Sequence, residues 1–114
     1  MTTPEKNLLI IIRSAPYTTL DYYEGIRAAA GLIEHKLRIL YTGDGVYAAS
    51  RESDHTLTKQ FLSDLPDLGV EFYADSESMM ARRIAESDLL PMVKPAEGEK
   101  LKELIMEAEA SLSF

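Results

Sequence analysis

Continuous apolar runs and amphipathic stretches alternate along this chain. The run NLLIIIRSAP, 7 to 16, is rich in leucine and isoleucine, which is typical of a strand buried on both faces of a parallel sheet. The stretch from 18 to 36 instead places its apolar residues at helical spacing, with Tyr22, Ile26 and Ile33 on one stripe. The first pattern predicts a strand and the second an amphipathic helix.

The same alternation continues to the last residue. Further strands are predicted at 37–47 (which closes with a Gly-Asp-Gly turn), 70–75, 90–95 and 111–114, and further helices at 54–69, 77–88 and 97–110. Regular alternation with short loops predicts an α/β fold with a mostly parallel sheet of about five strands and helices on both faces, of the flavodoxin-like kind. No linker or repeat interrupts the pattern, so we expect a single domain over residues 1–114.

The composition of the chain limits the cellular compartments and the classes of partner that we expect for it. Apolar residues make up 46% of the 114 residues, the net charge is −7, and there is no cysteine. The acidic balance argues against direct binding to nucleic acid or to anionic membranes. The N-terminus lacks the plan of a signal peptide, and the longest apolar run, 8–12, is too short to span a membrane. We therefore expect a cytoplasmic protein, without disulfides, thiolate metal sites or a cysteine nucleophile, and we predict no cofactor.

Polar side chains follow the first three predicted strands. Six of them are candidates for a ligand-binding cleft: Arg13, Ser14, Asp44, Tyr47, Asp75 and Ser76. Since the carboxyl ends of parallel strands meet at one edge of a sheet, these residues predict a cleft for a small molecule or an anion. A plainer interpretation also stands: a tight glycine turn, an ion pair between Arg13 and a nearby aspartate, and capping of the third helix by Asp75 or Ser76.

An enzyme is the least favoured interpretation of these residues. A serine nucleophile needs a positioned base, and only two histidines are present. Ser76, His55 and Asp44 have the residue types of a hydrolytic triad, but no GxSxG elbow surrounds the serine. The sequence therefore indicates no catalytic residue.

Three residues of the third predicted helix are candidates for a subunit interface: Met79, Met80 and Arg83. Adjacent helical residues point in different directions, so one methionine is expected in the core and the other at a contact with another subunit. The six tyrosines exceed what one small core needs, and tyrosine is enriched at interfaces. Both observations favour an oligomer.

Three short motifs, taken in order and spacing, carry a resemblance to a known family. The first strand ends in Ser14-Ala15-Pro16, the first helix has Glu24-Gly25 in its early part, and the second strand ends in Asp44-Gly45-Val46-Tyr47. Together with SMMARR (78–83) and the closing SLSF, this order resembles the DsrE/DsrF-like family, in particular its DsrF/TusC-type branch, over nearly the whole chain.

The resemblance implies a small subunit that assembles into trimers or hexamers, alone or with a cysteine-bearing relative, in a sulfur relay related to tRNA thiolation or sulfur oxidation. In active members a persulfide-carrying cysteine follows the third strand; the matching positions here are about Tyr73, Ala74 and Asp75, none of which carries sulfur. Subunits of the DsrF/TusC type also lack that cysteine. The resemblance thus implies a non-catalytic assembly subunit, with a ligand-binding domain as the alternative.

Overall fold

A parallel five-stranded sheet with the order β4-β3-β2-β1-β5 forms the centre of the molecule. The computed structural model describes residues 4–114. The strands are β1 (Asn7–Ile12), β2 (Lys36–Tyr41), β3 (Glu71–Asp75), β4 (Val93–Ala96) and β5 (Ala110–Ser113). The helices are α1 (Asp21–Ala30), α2 (Lys59–Asp67), α3 (Ser76–Ala81) and α4 (Gly98–Glu107), with 3-10 helices at Gly43–Ala49 and Glu86–Asp88. The predicted α/β class and the alternating order of elements are confirmed.

The strands alternate their side chains between two apolar layers. On one face, Ile10, Ile39 and Phe72 are buried under helices α1 and α2. On the other face, Leu9 and Leu40 are buried together with Leu104 of α4. Each such side chain contributes about 1.5–3 kcal/mol on burial. Helices therefore cover both faces, as the apolar runs predicted.

Several helices are shorter than their predicted ranges, and α3 shows why. Its predicted range was 77–88, but the helix ends at Ala81. Arg83 adopts a left-handed φ of 55°, and the Ile84 N–H donates back to the Met79 carbonyl at 2.9 Å. A left-handed residue that ends a helix is usually glycine. Because position 83 is an arginine, the sequence pattern did not predict this helix end.

Helix α4 buries only part of its apolar side. Leu104 is buried and Leu101 is half-buried, but Ile105 is exposed. The neighbouring Met106 is exposed as well. No helix among residues 4–114 is long and apolar enough to cross a membrane.

Candidate functional site

Asp75, at the carboxyl end of β3, is the centre of a hydrogen-bond network. It is the N-cap of α3, and its Oδ1 accepts the Glu77 N–H at 3.2 Å. Its Oδ2 accepts the Thr42 hydroxyl at 3.1 Å and the Ser78 hydroxyl at 2.7 Å. Both carboxylate oxygens are therefore engaged, and Asp75 rather than Ser76 fulfils the predicted capping role.

The network joins the end of β2 to the start of α3. The Gly43 N–H donates to Ser78 Oγ at 2.9 Å, while Ser78 itself donates to Asp75. Thr42 completes the connection from β2 to the same carboxylate oxygen. Every polar group of this network has a hydrogen-bond partner within the chain. The network therefore has a structural role, which is to hold the carboxyl ends of β2 and β3 together.

Asp44 contacts Arg82 of the segment after α3. The carboxylate accepts from Arg82 Nε at 3.0 Å and from Nη2 at 2.8 Å, while Nη1 donates to the Ser78 carbonyl at 3.1 Å. The guanidinium also lies 6.0 Å from the centre of the Tyr47 ring. The side chain of Asp44 is therefore paired with a residue 38 positions further along the chain.

Five of the six predicted cleft residues line three separate depressions. Arg13 and Ser14 line one of about 290 Å³, on the β5 side of the sheet. Asp75 and Ser76 line a second of about 390 Å³, and Tyr47 lines a third of about 380 Å³. The described residues thus do not form the single predicted cleft, and ligand binding by these six residues stays a prediction.

A tertiary contact explains the separation. The 3-10 helix Gly43–Ala49 packs across the end of β1, and the Thr42 N–H donates to the Ile12 carbonyl at 3.0 Å. On its other side, the Arg13 N–H donates to the carbonyl of Phe114 at 2.7 Å. The expected ion pair of Arg13 with a strand-end aspartate is absent among residues 4–114. Asp44 is paired with Arg82, and both carboxylate oxygens of Asp75 are engaged in the network described above.

The residues of the hypothetical triad are engaged elsewhere. His55 Nε2 lies 2.6 Å from the Ser50 carbonyl oxygen, and Asp44 binds Arg82. Neither side chain is therefore placed to orient Ser76. In the part of the chain that the structure describes, no three acidic or histidine side chains are grouped to hold a metal ion.

The two methionines of α3 point in opposite directions. Met79 is 4% exposed and belongs to the core, whereas Met80 is 77% exposed. One methionine therefore lies in the core as expected, and contact of Met80 with another subunit stays a prediction. The buried side chain of Met79, also an interface candidate, offers no surface for such a contact. Arg83 is exposed and lines the depression beside Tyr47, so its contact role remains a prediction.

Comparison with known proteins decides the family. The model of the DsrE/DsrF-like family matches residues 6–114. The chain belongs to the DsrE/DsrF-like family. Among curated proteins, the protein TusC homolog of Vibrio parahaemolyticus is 32% identical over 116 residues, which cover 94% of this chain and 98% of that protein. This similarity supports the DsrF/TusC-type branch.

Solved structures show the same DsrE/DsrF-like fold. The crystal structure of the YchN protein from E. coli superposes with a TM-score of 0.82 at 21% identity, over 96% of this chain and 99% of that chain. The protein MTH1491 from Methanobacterium thermoautotrophicum gives a TM-score of 0.73 at 19% identity, over 96% and 100% of the two chains. At these identities the likeness concerns the fold alone.

The resemblance matches the sulfur-carrying cysteine of active members to about Tyr73, Ala74 and Asp75, and all three side chains are engaged within the chain. Tyr73 points to the α4 side and donates its hydroxyl to Glu71 Oε1 at 2.7 Å. Ala74 is fully buried on the opposite side, and Asp75 caps α3. None of the three presents a free nucleophile.

Proposed function

We propose that this chain is a non-catalytic subunit of an oligomeric, cytoplasmic sulfur-relay assembly, in which a cysteine-bearing relative carries the sulfur. The similarity to a protein named TusC homolog supports the process. The absence of cysteine supports the assignment of the sulfur to the other subunit, because sulfur transfer by persulfide needs a thiolate. What remains for this chain is to hold the active subunit in place.

The observation that carries the proposal is the state of the Asp75 carboxylate. Both of its oxygens accept hydrogen bonds from the chain itself, which join β2, β3 and α3. A carboxylate used in this way stabilises the strand end and offers no reacting group. The surface around it is consequently suited to present a fixed shape to a partner.

Met80 supplies the adjoining contact surface. Its exposed side chain lines the depression of about 390 Å³ together with Asp75, Ser76 and Leu101. Methionine adapts its shape to a partner, and an exposed side chain of this size gains free energy when another protein covers it. We propose that the cysteine-bearing subunit covers Met80.

Co-purification of the two subunits tests this contact. The chain is expressed with the cysteine-bearing relative from its own cells, and the affinity of the pair is measured for the wild type and for Met80→Glu. We expect the charge to weaken the complex by at least about tenfold, since a buried unpaired carboxylate is costly. Leu68→Glu is the matched control, because Leu68 is an exposed apolar residue at the end of α2 and should leave the affinity unchanged. Equal affinities for both variants would reject Met80 as the contact.

A further inference from the structure

A charged cavity of about 480 Å³ opens on the α4 side of the sheet, near the amino ends of β2 and β3. It lies away from the Asp75 network, which is at the carboxyl end of β3. Its polar walls are formed by Arg38, Glu71, Tyr73, Lys94 and Lys100.

The register of the strands places these side chains on one face. Arg38 of β2 pairs with Glu71 of β3, and Tyr73 pairs with Lys94 of β4. Strands of a parallel sheet are normally apolar on both faces, because helices cover them. Here α4 lies against β1, where Leu104 packs on Leu9, and charged residues occupy the part of the face towards β4.

Positive charge dominates the walls of this cavity although the chain as a whole is acidic. Three cationic side chains line it against one carboxylate, in a protein of net charge −7. The carboxylate, Glu71, already accepts the Tyr73 hydroxyl at 2.7 Å. Its Oε1 also lies 3.5 Å from Arg38 Nε, so its charge is largely offset within the wall.

Arg38 has hydrogen-bonding capacity left over. Its side chain is 13% exposed, and Nη1 donates to Glu107 Oε2 at 2.8 Å. Its Nε is buried and has no hydrogen-bond acceptor among the described residues. Since a buried donor without an acceptor is unfavourable, an added acceptor at this point would be stabilising.

Lys94 and Lys100 add positive charge to the wall of the cavity. Lys94 forms no ion pair with any carboxylate that the structure describes. Lys100 lies 5.0 Å from the centre of the Tyr73 ring and 3.5 Å from Glu103 Oε1. The ammonium group of Lys94 is therefore available to bind an added anion. The ammonium group of Lys100 has three N–H donors, of which its one carboxylate partner does not use all.

We infer that this cavity binds an oxyanion, the carboxylate or phosphate group of a small molecule, with Lys94, Lys100 and Arg38 as donors. Ammonium and guanidinium groups form their strongest hydrogen bonds with such groups. A volume of about 480 Å³ lies within the range of small-molecule sites. The site is separate from the proposed sulfur-relay surface, so either proposal can fail without the other.

Titration of the full-length chain tests the site. Inorganic phosphate and, separately, acetate are added at constant ionic strength while amide and lysine side-chain resonances are followed by NMR. We expect saturable shifts centred on the Lys94, Lys100 and Tyr73 signals with at least one of the two anions. The anion that binds tighter distinguishes a phosphate from a carboxylate ligand.

Matched lysine variants decide whether the effect is specific. Lys94→Ala should weaken binding by about fivefold, because one charge-assisted contact is lost. Lys102→Ala removes an exposed lysine from α4 that does not line the cavity, and it should leave the affinity unchanged. Shifts that do not saturate with either anion, or equal losses of anion affinity in the two variants, would overturn the inference. These results would also be found if an acidic protein segment, rather than a small molecule, covers the cavity.

Discussion

Gly45 lies against the backbone of Ile12 so closely that a side chain at this position has no room. A Cβ atom built on Gly45 would be 1.9 Å from the Ile12 carbonyl oxygen and 2.6 Å from its carbonyl carbon. Backbone cannot yield as a flexible side chain can. The contact holds the 3-10 helix Gly43–Ala49 across the end of β1, which separates Arg13 from the Asp75 network.

Substitution of Gly45 by alanine should therefore destabilise the fold strongly. We expect the free energy of unfolding to fall by about 3 kcal/mol or more, since the added methyl forces two backbone segments apart. Urea denaturation measures the loss. Gly98→Ala is the control, because Gly98 has open space around it and begins α4, so that alanine should be neutral or slightly stabilising. A Gly45→Ala protein within 1 kcal/mol of the wild type is incompatible with this contact.

The glycine turn illustrates what the sequence can and cannot predict. The Gly-Asp-Gly pattern predicted a tight turn, and Gly43 has the positive φ of 56° that such turns require. The predicted strand over 37–47 is too long, however, because β2 ends at Tyr41 and the chain forms the 3-10 helix Gly43–Ala49. The need for glycine at 45 arises from the distance to Ile12, a residue far away in the chain. Local patterns report backbone preferences, whereas close approaches between segments appear only in the folded chain.

The difference between local patterns and long-range contacts also explains why the fold was predictable and the candidate site was not. Apolar runs such as 8–12 predicted a two-sided parallel sheet because burial on both faces is a local property of a strand. The partner of Asp44 was not predictable, since Arg82 is 38 residues away. Nor did any single segment reveal the charged cavity, because its walls come from β2, β3, β4 and α4.

Arg83 offers a stabilising substitution. Its φ of 55° costs an L-residue with a side chain about 1 kcal/mol relative to glycine. Arg83→Gly should raise the free energy of unfolding by at most about 0.5 kcal/mol, after the greater entropy of the unfolded glycine is subtracted. Thermal and urea unfolding measure this gain. A loss of stability would mean that the Arg83 side chain makes contacts that outweigh its backbone strain.

Mutation can distinguish the roles of Asp75 and Ser76 at the start of α3. Asp75→Ala removes the cap of α3 and leaves two hydroxyls without their acceptor, so we expect a loss of about 1–2 kcal/mol in the free energy of unfolding. Ser76→Ala is the control, since the cap hydrogen bond goes to Asp75, and it should change stability by less than about 0.5 kcal/mol. If Ser76→Ala costs more than Asp75→Ala, the assignment of the cap is wrong.

The Tyr73–Glu71 hydrogen bond should make the stability of the fold depend on pH in acidic solution. This bond, with smaller contributions from Arg38, Lys36 and Lys100, lowers the pKa of Glu71 below its ordinary 4.5 despite partial burial. A carboxyl whose folded pKa is lowered stabilises the fold fully above its unfolded pKa, and loses that contribution as the pH falls through the folded value. The stability supplied by this pair is thus present above pH 4.5 and declines in more acidic solution.

Tyr73→Phe removes the donor of that hydrogen bond and keeps the ring. We expect the pKa of Glu71, followed by NMR of its side-chain carboxyl, to rise towards 4.5 in this variant. The stability difference between wild type and variant should shrink below that pH. An unchanged Glu71 pKa would show that the charges of Arg38 and the lysines, and not Tyr73, determine it.

Native mass spectrometry of the protein captured from its own cells tests the proposed role most directly. We predict a complex that contains this chain and a cysteine-bearing relative in fixed ratio, with any added sulfur on the relative alone. A complex of this chain only, with no such relative, would contradict the scaffold role in sulfur transfer.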